Sequence, residues 1–488
     1  MRFSSFFLPT AFLLLTACTP TDKPADQQPS TLRPNIIYIM ADDLGYGDIG
    51  AYGQQVIRTP HIDQLAQDGM LFTDHYAGTS VCAPSRCVLM TGRHMGHAAI
   101  RGNKQHEPSG QIPLPAAETT VAELLQQAGY ATGMIGKWGL GEPGTEGDPQ
   151  RQGWDYYFGY TDQVLAHNYW PEFLWENGQK VMLPNRVTYL DSLAWHKGLG
   201  SVTAEKVAYA GDLFTERALA FLDRHRDSAF FLYLPYTAPH DNGEAPAGAQ
   251  IEVPDYGRFD TLDWPSDQKG YAAVIERLDD YVGQIRAKVA ALGLADRTLI
   301  VFTSDNGPLP ERRGFTAFFD SNGPLRGGKR DLYEGGMRTP LIACWPGTIA
   351  PGSRTGHISG FQDFLPTACE LAGAAVPAGL DGISYLPTLR GAPQPAHAYL
   401  YWEFHEGGGS QALRRGQWKA VRKRVNSQPQ APWELYDLST DLGETRDVAA
   451  AHPGIVAELA ALADMLHRSD TAWPLLYQEF EAARGQLP

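Results

Sequence analysis

Apolar runs and amphipathic stretches alternate along most of the chain. Asn35–Met40 and Ala229–Leu234 are continuous apolar segments, as expected of strands buried on both faces. Between such runs, apolar residues recur at helical spacing, as in Glu118–Ala128 and Ala272–Leu292, and each of these stretches stops before a glycine. This β-α-β-α order predicts an α/β fold in which a large, mostly parallel sheet is sandwiched by helices.

The pattern changes near residue 395. Before it, the same reading adds a helix starting at Pro60, a strand at Ala131–Ile135, a helix at Leu213–Leu222 and a strand at Thr298–Phe302. After it come short strand-like pieces and one helix, at Ala398–Phe404, Trp418–Val421 and Ile455–Leu466. We therefore expect a catalytic domain over residues 34–395 and a smaller α+β subdomain over residues 396–488.

The first 33 residues are expected to lie outside the fold. Arg2 precedes an apolar run that is typical of a secretory signal and too short to remain as a membrane span. Leu15-Thr16-Ala17-Cys18 is similar to a bacterial lipobox, which predicts a lipoprotein signal over residues 1–18 and a membrane anchor on Cys18; ordinary secretion is the alternative. Residues 19–33, rich in Pro, Gln, Asp and Thr, are predicted to be a flexible tether. The protein would then reside in the bacterial periplasm or cell envelope.

The net charge and the cysteine content limit which kinds of partner and site the protein can have. The net charge is −15, which disfavours nucleic acid as a partner. Besides Cys18 there are four scattered cysteines without paired zinc spacing, which do not make a disulfide scaffold. An acidic chain can still bind an anionic substrate, because local cations and a metal set the field inside a site.

Carboxylates follow two of the predicted core strands. Asp42 and Asp43 come directly after the first strand, and Asp305 and Asn306 follow the strand that ends near Phe302. Either pair alone is compatible with a turn or a helix cap. Together, at the carboxyl edge of one parallel sheet, they are an all-oxygen set suited to Ca²⁺ or Mg²⁺.

Three further polar side chains lie in equivalent places. Lys137 follows the strand Ala131–Ile135, His240 follows the strand Ala229–Leu234, and Lys329 lies in a glycine-rich loop. Single residues of these types in loops are most often solvated. Their positions after core strands or between glycines make them candidate ligand-binding residues.

The segment Cys82-Ala83-Pro84-Ser85-Arg86 carries the most specific signal. Pro84 suits the first turn of a helix, and Cys82 would then lie near the partial positive charge of the helix start, which favours an anion. A structural cysteine before a capped helix is the alternative.

With these blocks in order, the chain resembles the type I, formylglycine-dependent sulfatases of the alkaline phosphatase superfamily, particularly bacterial members described as arylsulfatases. The resemblance extends from about Asn35 to Gly382 and includes the modification motif, continued through Gly92. It implies an alkaline phosphatase-like fold and hydrolysis of sulfate esters. It also implies a maturation enzyme that oxidises Cys82 to formylglycine, whose hydrate attacks sulfur with one hydroxyl and later releases sulfate as the aldehyde reforms.

The resemblance assigns roles position by position. The metal, Ca²⁺ with Mg²⁺ as the alternative, would be held by Asp42, Asp43, formylglycine 82, Asp305 and Asn306. Arg86 would hold the formylglycine hydrate, Lys137 and Lys329 would clamp the sulfate oxygens, and His240 would be the candidate general acid. Fixed cations of this kind stabilise the charge of sulfuryl transfer.

One position departs from the family pattern. Many members carry His where this chain has Gly139, and that His contacts the formylglycine hydroxyl. The base for sulfate release is therefore unassigned, with Asp305, His94 and His97 as candidates. A Gly139→His variant with a large gain in turnover would indicate an enzyme compromised at this step, and no gain would indicate that another group serves it.

Two other functions are compatible with the motifs. A phosphonate monoester or phosphodiester hydrolase shares the modification and the metal framework, and a glycan-binding lipoprotein would use a degenerate sulfatase fold. If the protein is a sulfatase, a lipid anchor and an acidic surface are typical of an enzyme that scavenges sulfated glycans. It would then release sulfate from galactose- or hexosamine-type units. Candidate sugar-contacting residues are Tyr157, His167, Tyr169, Trp170, Trp175, 402–405, His97, Arg101 and Asn103.

Overall fold

The computed structural model describes Met1 and residues 33–104, 111–190, 200–310 and 314–484. Residues 33–488 form one compact unit. The predicted signal, the lipidation site Cys18 and nearly all of the tether lie outside the described residues. Within the described part, none of the helices combines the length and the apolar character that a membrane crossing requires.

Helices follow the predicted stretches closely. The predicted helix at Glu118–Ala128 begins at Val121 because Thr120 and Glu123 form a reciprocal capping box. The α-helices are α1 (Pro60–Asp68), α2 (Cys82–Thr91), α3 (Val121–Gln127), α4 (Ala210–His225), α5 (Ser266–Ala291), α6 (Phe315–Phe319), α7 (Glu334–Met337), α8 (Phe364–Ala372), α9 (Leu386–Leu389), α10 (Pro453–Leu466) and α11 (Tyr477–Arg484).

The strands form one large and several small sheets. Those of the first half are β1 (Asn35–Asp42), β2 (Met70–Phe72), β3 (His75–Tyr76), β4 (Ala131–Lys137), β5 (Tyr156–Tyr160), β6 (Phe173–Glu176), β7 (Gln179–Met182), β8 (Arg186–Tyr189) and β9 (Ser201–Glu205). Those of the second half are β10 (Phe230–Pro239), β11 (Thr298–Ser304), β12 (Leu341–Cys344), β13 (Ser353–Thr355), β14 (Ser359–Gly360), β15 (Leu400–Phe404), β16 (Ser410–Arg415), β17 (Trp418–Lys423) and β18 (Trp433–Asp437).

The large sheet has ten strands in the order β13-β2-β12-β11-β1-β10-β4-β5-β6-β7. Its centre, β11-β1-β10-β4-β5, is parallel, and antiparallel strands flank it on both sides. Every residue of β1, β10 and β11 is buried, which explains their continuous apolar sequences. The predicted α/β architecture is confirmed, but the flanking strands were not predicted because they are only three or four residues long.

The sheet separates two hydrophobic layers. Ile37 and Ile39 of β1 face a layer that includes α1, α4 and α5, whereas Ile36, Tyr38 and Met40 face a layer that includes α2, α3 and α8. This alternation follows from the two-residue period of a strand, and it places helices on both faces.

A four-stranded antiparallel sheet, β15-β16-β17-β18, follows the large one; we call it the C-terminal sheet. One face packs against α10 through Tyr401, Leu413 and Leu459. The other face contributes Trp402 and Val421 to a cluster with residues of β3, α7 and the segment before α2. The C-terminal sheet is thus packed directly behind the loop that leads into the Cys82 helix.

Candidate active site

The carboxyl ends of the central strands bring the predicted residues together. The backbone N–H of Asp43 donates to Oδ1 of Asp305 at 3.1 Å, and that of Asp305 donates to the carbonyl of Ala41 at 3.0 Å. These bonds join the end of β1 to the end of β11. Asp43 has a φ of 67°, so the chain turns sharply and presents both carboxylates, Asp42 and Asp43, at the same edge.

Cys82 is the first residue of α2 and lies within this group of carboxylates. One ligand atom each from Asp42, Asp43, Cys82 and His240 falls within a cluster in which no two are more than 4.8 Å apart. The Cys82 side chain is buried, and burial raises the pKa of its thiol to about 11 although Lys137 and Lys329 lower it. The helix start predicted from Pro84 is confirmed.

Each of the three carboxylates has a buried cation beside it. Nζ of Lys137 lies 2.6 Å from Oδ2 of Asp42, and Nζ of Lys329 lies 2.8 Å from Oδ2 of Asp43. Nη2 of Arg86 lies 2.8 Å from Oδ2 of Asp305 and 3.5 Å from Oδ2 of Asp42. Although burial acts in the opposite direction, Lys137, His240 and Arg86 hold the pKa of Asp42 below its usual range. The site therefore concentrates fixed cations around one point.

The oxygen donors fit a hard divalent cation. Oδ1 of Asp42 and Oδ1 of Asn306 are buried and have no hydrogen-bond partner among the described residues. Burial and the nearby Asp42 raise the pKa of Asp305 to about 7, against the effect of Arg86. A dication bound between these groups would satisfy the two free oxygens and offset the carboxylate repulsion. Asp42, Asp43, Asp305 and Asn306 would hold it.

The ring of His240 accepts a hydrogen bond on the side that faces Lys329. Its Nδ1 lies 2.7 Å from the carbonyl of Asp241, which can only accept, so Nδ1 carries the proton. Its Nε2 lies 2.9 Å from Nζ of Lys329 and accepts from that ammonium group. Burial, reinforced by Lys329, lowers the pKa of His240 well below its ordinary value. In this contact the proton is on Lys329.

Two neighbouring side chains, His167 and Tyr169, fix the position of His240. The ring of His167 stacks on that of His240, with centroids 4.7 Å apart, and its Nδ1 lies 2.9 Å from Oε2 of Glu244. The Tyr169 hydroxyl donates to the carbonyls of Thr237 and His240. His167 and Tyr169, predicted as sugar-contacting residues, therefore lie beside the site; Tyr169 is buried and acts on the backbone.

The contribution of Ser85 was missed from the sequence. Its hydroxyl donates to the carbonyl of Asp305 at 2.6 Å and accepts from the N–H of Gly78 at 3.0 Å. It ties α2 to the Asp305 loop. Its place inside the Cys82 motif was the available signal.

A side chain at residue 139 would meet the end of the Gln163 side chain. The φ of Gly139 is 71°, and a Cβ built there would lie 2.0 Å from Nε2 of Gln163. The carboxamide of Gln163 thus fills the space beside the backbone of residue 139.

Two of the three candidate bases for sulfate release lie elsewhere. His94 and His97 stack with a centroid distance of 4.3 Å and contact Asp381, past the far end of α2. The nine residue steps of α2 place that end roughly 14 Å from Cys82. Of the three candidates, only Asp305 lies at the site, where Arg86 joins it to Asp42.

The fold and the site together define a class: an α/β protein that gathers carboxylates and fixed cations at the carboxyl edge of its sheet, as expected of an enzyme that acts on an anionic group. Comparisons with known proteins narrow this class. The sequence profile of the sulfatase family matches residues 34–374, and that of the N-sulphoglucosamine sulphohydrolase C-terminal region matches residues 327–469.

Individual relatives cover nearly the whole chain. Arylsulfatase A of Homo sapiens is 34% identical, over 93% of this chain and 91% of its own length. The N-acetylgalactosamine-6-O-sulfatase of Bacteroides thetaiotaomicron is 32% identical, over 92% and 96%. The crystal structure of Ps i-CgsB, also solved in complex with k-i-k-neocarrahexaose, aligns with a TM-score of 0.75 at 29% identity, over 93% of this chain and 97% of its own.

The chain belongs to the sulfatase family. Its activity is that of a sulfuric ester hydrolase.

Proposed function

We propose that this sulfatase removes sulfate from carbohydrates, using a formylglycine made from Cys82 and a bound Ca²⁺ ion, with Mg²⁺ as the alternative. The observation that carries the proposal is the position of Cys82 at the start of α2, buried beside Asp42, Asp43 and two lysines. The start of α2, Lys137 and Lys329 place positive charge beside an anionic group at that point, and a bound dication would offset the charge of the carboxylates.

The unmodified thiol suits this role poorly. With a pKa raised to about 11 by burial, Cys82 stays protonated at neutral pH, and a thiol is a weak nucleophile. Formylglycine would supply a geminal diol, with one hydroxyl to attack sulfur and one to lose its proton when sulfate leaves and the aldehyde reforms. A maturation enzyme that recognises the motif around Pro84 and Arg86 is the implied partner.

The remaining residues bind, orient and move protons. Arg86 holds Asp305 in place and faces the position of the nucleophile, while Lys137 and Lys329 neutralise the nonbridging oxygens of the sulfate. Lys329 donates to the ester oxygen as the S–O bond breaks, and His240 orients the Lys329 ammonium through Nε2. Asp42, Asp43, Asp305 and Asn306 would hold a dication, which would supply Lewis-acid polarisation of the sulfate.

Two related proteins support a carbohydrate substrate. One is named an N-acetylgalactosamine-6-O-sulfatase, and the other has been solved with k-i-k-neocarrahexaose. His167 stacks on the outer side of the His240 ring and pairs with Glu244, so these two side chains form a polar wall beside the site. Their side chains are 14% and 6% exposed. A polar wall of this kind suits sugar hydroxyls better than an apolar aryl group, so we propose galactose- or hexosamine-type sulfates as substrates.

We further propose export and lipidation. The apolar segment before Cys18 and the lipobox-like Leu15-Thr16-Ala17-Cys18 support an envelope lipoprotein. Labelling cells with a palmitate analogue tests this point. Label should appear on the wild type and disappear in Cys18→Ala, and an unlabelled wild type would refute lipidation.

Two measurements test the catalytic proposal. Peptide mass spectrometry across Cys82 should reveal the loss of one sulfur and two hydrogens and the gain of one oxygen. The enzyme should then release sulfate from a panel of sulfated galactose and N-acetylhexosamine monosaccharides, and Cys82→Ala should not. An unmodified but fully active Cys82 would overturn the nucleophile assignment.

The same assay separates the other two functions. Greater catalytic efficiency on a matched aryl phosphonate than on the aryl sulfate would identify a phosphonate monoester or phosphodiester hydrolase. Binding of sulfated sugars without turnover, by protein carrying formylglycine, would identify a glycan-binding lipoprotein.

A further inference from the structure

The short helix α7 lies at the back of the active site and touches several of its loops. Its Gly336 carbonyl accepts from the N–H of Gly307, directly after Asn306, at 3.0 Å. The N–H of Gly335 donates to the carbonyl of Arg326, three residues before Lys329, at 2.7 Å. The Met337 carbonyl accepts from the N–H of Ala77 in the segment leading to Cys82, at 2.8 Å. One turn of helix thus joins the predicted metal loop, the Lys329 loop and the approach to α2.

These contacts leave little room for movement. A Cβ at Gly307 would lie 1.8 Å from the carbonyl oxygen of Gly335, and a Cβ at Gly336 would lie 2.0 Å from that of Asp331. Because the loops meet through backbone atoms, no side-chain packing can absorb a shift of α7. Any displacement of α7 is therefore passed on to the residues beside Asn306 and Lys329.

A helix of four residues cannot define its own position. The first residue, Glu334, is fully buried, and Oε2 of its side chain accepts from the Tyr76 hydroxyl at 2.7 Å and lies 3.1 Å from Nη1 of Arg338. Its other oxygen, Oε1, lies 2.8 Å from Nζ of Lys419, in β17 of the C-terminal sheet. The anchor of α7 is thus an ionic contact to a different sheet.

Glu444, which follows β18, completes the anchor. Its Oε2 accepts from the backbone N–H of Glu334 at 2.6 Å, and its Oε1 lies 3.0 Å from Nζ of Lys419. Its backbone has a φ of 50°, which is unusual for a residue with a side chain, and its carbonyl accepts from Arg326 at 2.7 Å. The side chains of Lys419, Glu334 and Glu444 are all fully buried.

We propose that Lys419 and Glu444 are positioning residues of the active site, acting through Glu334 and α7 on Asn306 and Lys329. The C-terminal sheet then contributes to catalysis without touching the substrate. This inference rests on the proposed function for the identity of the bound cation and the reaction. It explains why the buried ammonium group of Lys419 is held between the carboxylates of Glu334 and Glu444, next to the glycine-rich loops of the site.

The test compares full-length wild type with Lys419→Met, Glu444→Gln and the control Arg422→Met. Arg422 lies on the same strand as Lys419, but its side chain donates to Oε1 of Gln411 at 2.6 Å and to Asp464 of α10 at 3.3 Å, away from α7. Each protein is stripped with a chelator and titrated with Ca²⁺, and the thermal unfolding midpoint is followed. Turnover of an aryl sulfate is measured separately at saturating Ca²⁺.

For Lys419→Met we expect the Ca²⁺ concentration at the titration midpoint to rise roughly tenfold, which is typical when a group that positions a metal ligand is removed. We expect kcat to fall roughly 10- to 100-fold, because small displacements of catalytic groups have effects of that size, with a much smaller change in KM. Arg422→Met should match the wild type in all three quantities.

A folded Lys419→Met protein with the Ca²⁺ midpoint and kcat of Arg422→Met would overturn the proposal. If Lys419→Met does not fold, Glu444→Gln decides, since its amide oxygen still accepts from the Glu334 N–H while the ion pair is lost. An unchanged Ca²⁺ midpoint and kcat in Glu444→Gln would then refute the positioning role. A wild type inactive on every sulfate ester, with the Ca²⁺ midpoint still shifted by Lys419→Met, would refute only the proposed function.

Discussion

Replacing Gly139 by His should weaken this enzyme rather than improve it. The backbone of Gly139 has a φ of 71°, and the space beside it holds Nε2 of Gln163, which donates to the Gly139 carbonyl at 3.4 Å. An imidazole at residue 139 has to displace that carboxamide and accept a left-handed backbone. The expected results are a lower melting temperature and no gain in turnover.

The magnitude follows from two contributions. A left-handed conformation costs a residue with a side chain about 1–2 kcal/mol relative to Gly. Loss of the long hydrogen bond from Gln163 adds about 0.5–1 kcal/mol. The total is about 1.5–3 kcal/mol. Unfolding entropy of about 2.1 cal/mol/K per residue over residues 33–488 gives about 1 °C per kcal/mol, and thus a shift of about 1.5–3 °C.

Differential scanning calorimetry and aryl sulfate turnover should be measured on five proteins: the wild type, Gly139→His, Gly139→Ala, Gln163→Ala and the double variant. Gly139→Ala isolates the backbone cost, and Gly139→His combined with Gln163→Ala removes the steric conflict. The double variant should recover about 1 kcal/mol relative to the sum of its single changes. A Gly139→His protein with an unchanged melting temperature and higher turnover would refute this reasoning.

Three further predictions follow from the site and its surroundings. Removal of bound metal by a chelator should lower the melting temperature, and Ca²⁺ at about 100 times its Kd should restore about 2.7 kcal/mol; no response to any divalent cation would contradict the metal site. Lys137→Met should reduce kcat/KM by about 10²–10³-fold, because it removes the cation 2.6 Å from Asp42, and near-normal activity would contradict its role. His467 is partly desolvated, which lowers its pKa, but hydrogen bonds to Glu403 and Glu479 outweigh this and raise the pKa to about 9. Its stabilisation, on the order of 3 kcal/mol, is complete below about pH 6.5 and lost as pH rises to 9, so His467→Gln should flatten urea-unfolding stability across that window.

Local patterns carried most of the catalytic information. Asp42 and Lys137 end strands, and His240 and Asp305 directly follow strands, whose apolar sequences are visible without a structure. Parallel strands end at one edge of the sheet. Proximity of the side chains therefore follows from order alone. The protonation of His240 does not, because it depends on which atoms its two ring nitrogens meet.

The short flanking strands of the large sheet illustrate the opposite case. Strands of three or four residues carry too few positions for a recognisable period, and their pairing is set by the neighbours they meet.

The sequence by itself determined the α/β class, the strand ends that carry the acidic and basic side chains, and the motif around Cys82. Tertiary structure alone decided that Gln163 fills the space at Gly139, that His94 and His97 lie beyond the far end of α2, and that Lys419 anchors the metal loop through Glu334. The physical reason is range. Strand and helix signals depend on residues a few positions apart, whereas Lys419 and Glu334 are 85 positions apart and meet only because two sheets pack together.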